Sequence, residues 1–449
     1  MKKTIILTGL LLSILLILNF TTQQQVVAYP NRNLTKEDQI WIISDLHYLS
    51  PTLFDTGEAF SYIEKTAAGK ELRYGKERMD ALLEQVKRDK PKHLLVSGDL
   101  TLNGEKQSML ELAEYFGKME KAGTQVQVIP GNHDIASGWA RAFKGDQQEV
   151  VAQVSHKDFA EIFADFGYNQ AANRDAHSLS YLSKVSSNLW FIMLDSNIYS
   201  DGMGKGGPKT NGRIKKETLD WMEEQLQAAE EAGVQALPVV HHNVLRQHHM
   251  LSKGYTLDNA IDVKRLLDRY GVQFGFSGHT HAQNIVSEDL GRTTYTEVVN
   301  GAFSVYPAVI GQVTLDKSGL DYQKGQLDTA FWAKNAQPTN PDLRELTAHM
   351  QSVFDNSSDI MVHRMMHDEG WYSTEVAESI SRFMVPVNRA YFSGEKIDQN
   401  WLAKDVYPSQ AYKELSKVNP KSFLYDYAEH IFLRSQERDV EKVFMEIKP

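Results

Sequence analysis

Five short apolar runs in this chain each end, within a few residues, in a cluster of acid, asparagine or histidine side chains, and no other feature constrains the fold as much. Ile42-Ile43-Ser44 runs into Asp45-Leu46-His47, Leu94-Leu95-Val96-Ser97 into Gly98-Asp99, and Val126-Gln127-Val128-Ile129 into Gly131-Asn132-His133-Asp134. Later, Val239-Val240 precedes His241-His242-Asn243, and Phe274-Gly275-Phe276-Ser277 precedes Gly278-His279-Thr280-His281. Such apolar, β-branched runs are strands buried on both faces. The carboxyl ends of strands are where open α/β sheets place their crevices, so these clusters are expected to converge on one sheet edge. Gly98, Gly131 and Gly278 stand where the chain turns off a strand, and the missing Cβ lets ligand side chains come close.

The surrounding pattern supports that frame. Strand runs at 39–44, 93–97, 125–129, 189–194, 236–240 and 272–276 alternate with stretches at 75–90, 106–122, 215–232 and 256–270. In the latter, apolar residues recur every three or four positions, as in helices covering a sheet. Two alternating runs at 293–304 and 311–322 read as antiparallel strands and make the sheet mixed. From about Asp328 to Pro449 strand signals fade and helical ones dominate, at 341–354, 375–386 and 422–434. The expected organisation is an α/β catalytic domain over 29–327 followed by a helical domain over 328–449.

Met1-Lys2-Lys3, an apolar run from Ile5 to Phe20, and Val26-Val27-Ala28 have the layout of a secretory signal peptide over residues 1–28. The competing reading is an uncleaved membrane anchor, since the run approaches the roughly 17-residue lower limit for a spanning helix. Either way the protein is expected outside the cytoplasm, secreted or associated with the cell surface. The 449-residue chain has no cysteine, so it depends on no disulfide, and any metal must be held by nitrogen and oxygen. Loss of Lys2 and Lys3 with the leader, and of no acid, moves the formal charge from −10 to −12. An acidic chain without a basic stripe is a poor binder of nucleic acid. A small phosphate-ester substrate would need a local attraction, which bound metal cations can supply.

A site for two metal ions needs a bridging carboxylate and further oxygen and nitrogen donors on each side, and Asp99 is the natural bridge. Imidazole with carboxylate suits manganese, iron or zinc rather than magnesium or calcium. The ordered set D-x-H, G-D, G-N-H-D, a strand-end histidine and G-H-x-H resembles the calcineurin-like metallophosphoesterase superfamily over residues 39 to about 310. The resemblance implies a four-layer α/β/β/α sandwich of mixed sheets holding two divalent or mixed-valence ions. It places Asp45, His47, Asp99 and His281 on one ion and Asp99, Asn132, His241 and His279 on the other, with His133 facing substrate. The paired His241-His242 and the Leu219-Asp220-Trp221 helix after Gly212-Arg213 are similar to bacterial cyclic nucleotide phosphodiesterases, whose His-His-Pro is here completed by Asn243 instead. By that resemblance the first substrate class is cyclic nucleotides or similar small phosphodiesters, the second phosphomonoesters including nucleotides. A non-catalytic interaction module on the same scaffold is the third reading, and the full ligand set opposes it.

Other polar clusters have plainer readings. His242 could orient His241, line the pocket or face solvent. His248-His249 read as a solvated loop, and His363 with His367 as two histidines on one face of a helix. The glycine-rich stretch 201–212, with Lys205, reads as a mobile loop with a possible gating role.

Overall fold

A computed structural model describes residues 39–186, 188–199, 203–316, 319–370, 373–417, 422–437 and 439–446. The leader-like segment 1–28 lies outside them. No helix among the described residues is long and apolar enough to cross a membrane.

Among the described residues, fifteen strands form two large sheets and a hairpin. In chain order they are β1 (Gln39–Ile43), β2 (His93–Ser97), β3 (Gln125–Ile129), β4 (Arg141–Lys144), β5 (Gln147–Val150), β6 (Asn173–Arg174), β7 (Tyr181–Lys184) and β8 (Leu189–Leu194). They continue with β9 (Gln235–Val240), β10 (Phe274–Ser277), β11 (Asn284–Asp289), β12 (Thr294–Val299), β13 (Val309–Asp316), β14 (Gly319–Gln326) and β15 (Lys442–Glu446). One sheet has the order β15-β14-β13-β1-β2-β3, the other β11-β12-β10-β9-β8-β7-β6, and β4-β5 is the hairpin. β1, β2 and β3 are parallel, as are β8, β9, β10 and β12, while the outer strands run antiparallel.

Alternation along β8 and β9 builds the layers. Phe191, Met193, Leu237 and Val239 point into a core shared with Ile42, Leu95, Ile129 and Val313 of the first sheet, on the face from which Gln127 Nε2 donates to Ser183 Oγ of β7 at 2.8 Å. Their neighbours Trp190, Ile192, Ala236 and Val240 point the other way, onto the helices Lys216–Ala232 and Ala260–Arg269. The helices Gly75–Asp89 and Lys106–Lys121 bury Leu82, Val86, Leu112 and Phe116 against the first sheet. Helix, sheet, sheet and helix therefore stack as four layers, the α/β/β/α sandwich.

Several boundaries differ from the sequence reading. The run 311–322 is not one strand but the hairpin β13–β14, and 293–304 contributes only β12, which is antiparallel to β11 and parallel to β10. The helix expected from 256 starts at Ala260, because the Asn259 side chain is committed to Ile214, accepting from its N–H and donating to its C=O. The helix expected over 341–354 breaks after Arg344 and resumes as Leu346–Asp368. The helix expected to stop at Pro386 runs over Thr374–Ser393. Proline removes one helical hydrogen bond and crowds the preceding turn, but Met384, Val387, Asn388 and Tyr391 are buried around it and hold the helix through that defect.

The helices Leu346–Asp368, Thr374–Ser393 and Phe423–Glu437 share a core of Val362, Met366, Ile380, Met384, Leu424 and Ile431. That region is anchored two residues past the G-H-x-H motif. Arg434 donates to Gln283 O at 2.6 Å and to Asn284 Oδ1 at 3.0 Å, and Gln283 N donates to Phe392 O at 3.0 Å. Nor is the last described stretch helical, since β15 returns to pair with β14 at the sheet edge.

Candidate metal centre

All seven proposed donors lie just past strand ends, but on two facing sheets rather than the single sheet edge expected. Asp45, His47, Asp99 and Asn132 follow β1, β2 and β3, whereas His241, His279 and His281 follow β9 and β10. Backbone hydrogen bonds lock the loops together: Asp45 N to Gly98 O at 3.0 Å, His47 N to Asp99 O at 3.0 Å, Gly278 N to His241 O at 3.1 Å and Ala302 N to His281 O at 3.0 Å. Asp45, His47, Asp99, His279 and His281 all adopt positive φ, between 41° and 71°. That conformation is disfavoured for side chains other than glycine's and clusters at functional sites, where the surrounding structure enforces it. Space is equally tight at the glycines. A Cβ on Gly131 would lie 2.1 Å from Asp99 N, and one on Gly98 would lie 2.5 Å from His241 Nδ1.

The donor atoms fall into two groups that share Asp99: Asp45, His47, Asp99 and His281, and Asp99, His241 and His279, within each of which the atoms lie inside 4.8 Å of one another. Asp99 Oδ2 is 3.7 Å from His47 Nε2 and 3.4 Å from His241 Nε2, and Asn132 Oδ1 is 3.1 Å from the same His241 atom. Second contacts set the tautomers. His241 Nδ1 lies 2.8 Å from Ser97 O and His279 Nε2 3.2 Å from Gly254 O. A carbonyl can only accept, so each of those nitrogens carries a proton and the other ring nitrogen is the one left to face a metal.

The donor set fits a pair of cations. His47 Nε2 and His281 Nε2 face each other at 3.0 Å, and Asp45 Oδ1 is buried with no hydrogen-bond partner. Buried polar atoms left so are costly unless something else satisfies them. Burial would push the Asp99 carboxyl up, but His241, His133 and His47 outweigh it and hold Asp99 well below the carboxylate range. For Asp45, burial is likewise overcome, chiefly by His281. Both carboxylates are thus in the ionised form that a metal requires.

His133 stands beside this cluster. Its Nδ1 donates to Leu102 O at 2.8 Å and lies 3.0 Å from Asn103 Oδ1, which leaves Nε2 turned toward Asp99 Oδ2 at 4.0 Å. Behind it, Asp134 accepts from the backbone N–H of Gly131, Leu100 and Thr101 at 2.8–3.0 Å, tying the G-D loop to the G-N-H-D loop. Asp134 was visible as the last letter of a motif, but its brace across two loops was not. Asn243, where the resemblance led to an expectation of proline, donates to Ser277 Oγ at 3.0 Å and Gly278 O at 3.1 Å, joining the ends of β9 and β10.

His242 is buried, its Nδ1 2.7 Å from Ser196 Oγ and its ring against those of His241 and His279, so it backs both of them. The loop reading of His248 needs correction: it is buried, and only His249 is exposed. His248, His249 and His430 form a third group of imidazoles. His248 Nδ1 already accepts the Met250 N–H at 3.1 Å, however, so this trio lacks the converging lone pairs of the other two groups. His363 is held by Asp359 O at 2.9 Å on its own helix. Gly204 of the glycine-rich stretch exchanges two 2.9 Å hydrogen bonds with the Gln153 side chain, and Lys205 is exposed.

The cluster opens into a cavity of about 440 Å³. Asp99, Asn132, His133 and His281 line its floor. Its far wall comes from the helical region and includes Phe354, Met361, Asn388, Tyr391, Phe392 and Tyr427. Lys70, on the turn after the helix Glu58–Thr66, is also in the wall, and nothing in the sequence pattern singled it out.

The family model described as calcineurin-like phosphoesterase matches residues 39–283, and that described as the C-terminal domain of cyclic nucleotide phosphodiesterase matches residues 328–439. No curated protein matches the chain. Among solved structures, a dimetal phosphatase from Danio rerio is 12% identical with a TM-score of 0.45, over 64% of this chain and 95% of that one. A purple acid phosphatase from yellow lupin (Lupinus luteus) seeds is 12% identical with a TM-score of 0.39, over 66% and 52%. A sulfate thiohydrolase from Thermus thermophilus is 13% identical with a TM-score of 0.36, over 72% and 62%.

Proposed function

This chain belongs to the calcineurin-like phosphoesterases, and from that premise we propose that it is a binuclear metal-dependent hydrolase of small phosphodiesters, with cyclic nucleotides as the first substrate class. The observation that carries the reading is the pair of donor groups sharing Asp99 at the floor of a cavity. In it, Asp45, His47, Asp99 and His281 hold one ion, and Asp99, Asn132, His241 and His279 hold the other. Manganese, iron and zinc are the metals that this nitrogen and oxygen set suits. When bound, the ions supply Lewis-acid polarisation of the phosphoryl group and activation of water.

The protein's own groups do the rest. With Nδ1–H given to Leu102 O and Asn103 Oδ1 beside it, His133 turns Nε2 toward the ester; burial lowers this histidine and the Asp99 carboxylate opposes that, so the imidazolium beside Asp99 is the form that delivers a proton from Nε2 to the departing ester oxygen. The aromatic wall of Phe354, Tyr391, Phe392 and Tyr427 takes a planar, weakly polar group such as a nucleobase, with Asn388 and Ser358 at hand for its polar edge. The match of residues 328–439 to the C-terminal domain of cyclic nucleotide phosphodiesterase supports diesters over monoesters. With the leader-like segment 1–28 we place this activity outside the cytoplasm, a reading that amino-terminal sequencing of the exported protein tests.

The deciding experiment reconstitutes the full chain with manganese, zinc or iron. It then compares hydrolysis of bis(4-nitrophenyl) phosphate and 2′,3′- and 3′,5′-cyclic nucleotides with that of 4-nitrophenyl phosphate and nucleoside monophosphates. Preference for the diesters is expected. Preference for the monoesters moves the assignment to a phosphomonoesterase, and failure to hold two ions removes the reading altogether.

A further inference from the structure

Among the described residues, Lys70 is the one lysine or arginine in the wall of the cavity that also holds Asp99, Asn132 and His133. It ends a tight turn in which Ala68 and Gly69 take φ of 53° and 81°. The helical region presses directly on that turn, since a Cβ on Gly69 would lie 2.9 Å from the Phe354 ring. Glu71, the next residue, is pinned by its N–H to Ser304 O at 2.8 Å and by its ion pair with buried Arg78. The Lys70 stem is therefore placed by tertiary contacts on both sides.

Its ammonium is poorly provided for. Among the described residues it forms no ion pair, and its hydrogen bond is a 3.4 Å contact to Ala67 O in its own turn. Burial works against its charge, opposed only by the carboxylates of Asp99 and Asp45. Those two carboxylates belong to the proposed ligand set. Once two divalent cations occupy it, the formal balance of the centre is positive, and Lys70 faces like charge across the cavity. A lysine kept in that position needs an anion between itself and the ions.

Resting on the proposed hydrolase reading, we infer that Lys70 is the phosphate-holding residue of this site: its ammonium takes a non-bridging phosphoryl oxygen of the bound ester on the side away from the ions, and keeps it in the phosphate product. Lys70 thereby selects for esters that carry an anionic oxygen. Lys205, in the glycine-rich stretch, is exposed and outside the cavity wall.

The test is a calorimetric titration of the metal-loaded full chain with inorganic phosphate, alongside metal analysis, for the natural chain and for Lys70→Met, Lys70→Gln and Lys70→Arg. A hydrogen bond between charged groups predicts roughly 10- to 100-fold weaker phosphate binding in Lys70→Met and Lys70→Gln, with the ion content unchanged and most of the affinity recovered in Lys70→Arg. For bis(4-nitrophenyl) phosphate, KM should rise by more than kcat falls. Unchanged phosphate affinity in a folded, two-ion Lys70→Met or Lys70→Gln overturns the inference, and so does loss of ions from either variant, which would make Lys70 a support of the metal site. If the natural chain hydrolyses no ester yet binds phosphate through Lys70, the hydrolase reading fails and the anion site stands. If it hydrolyses esters with no dependence of phosphate affinity on Lys70, the reverse holds.

Discussion

The floor and the wall of the cavity are built on opposite principles. The floor is polar, buried and strained: five of its seven proposed donors hold positive φ, and each lies within a few residues of a strand end. The wall is largely aromatic and aliphatic, carried on long helices, one of them running through Pro386, and it reaches the floor only because Arg434, Phe392 and β15 dock the helical region against Gln283, Asn284 and β14. Floor residues are replaceable by almost nothing, because a metal demands particular atoms at particular places. Wall residues answer only to shape and apolarity, so the same floor can serve different substrates behind different walls.

That division is open to direct attack. The largest effect is expected from Asp99→Asn, which removes the shared donor: at least one ion should be lost, and turnover should fall by on the order of 10³-fold, the several kcal/mol that metal polarisation provides. Retention of both ions, read by metal analysis, would break the proposed sharing. Next, His133→Ala should keep both ions while turnover drops about 10²- to 10⁴-fold, the usual worth of a positioned proton donor; unchanged turnover would remove His133 from the chemistry. On the wall, Tyr391→Ala combined with Tyr427→Ala should raise KM for cyclic nucleotides by roughly 10-fold through lost stacking and leave kcat within a few-fold. A loss confined to kcat would mean that the wall belongs to the chemistry after all.

The smallest effect concerns how the wall is held. Burial, reinforced by His430, His249 and Arg434, lowers His248 to about 3. The unfolded chain therefore takes up this proton first, so the contribution to stability is complete above pH 6.5 and declines as pH falls toward 3, by up to roughly 1.4 kcal/mol per pH unit. Thermal unfolding from pH 7.5 to 5 should show a steeper loss in the natural chain than in His248→Gln. Equal slopes would show that this histidine does not couple the wall to pH.

The floor could be read before any coordinates because its chemistry leaves local traces. D-x-H and G-H-x-H each confine two candidate donors to one short loop and G-N-H-D sets one beside His133, and the apolar run before each loop identifies the strand that carries it. Lys70 left no trace of that kind. It follows a helix and a Gly-containing turn, as many surface lysines do, and becomes distinctive only through Phe354 packing on Gly69. Tyr391 and Tyr427 were legible as helical apolar positions but not as cavity lining. Pro386 misled in the opposite direction, because its local penalty is real and only the surrounding packing overrides it. β15 is a short, half-buried segment whose strand character comes from the open edge of β14.

The candidate donors, their order along the chain and the alternation of buried strands with amphipathic helices were legible within windows of a few residues, where side-chain chemistry and hydrophobic period act locally. Which sheet carries which candidate donors, the burial of His248 and the place of Lys70 in the cavity wall were settled only by folding. Each depends on contacts between residues tens to hundreds of positions apart, and no local pattern records which surfaces meet.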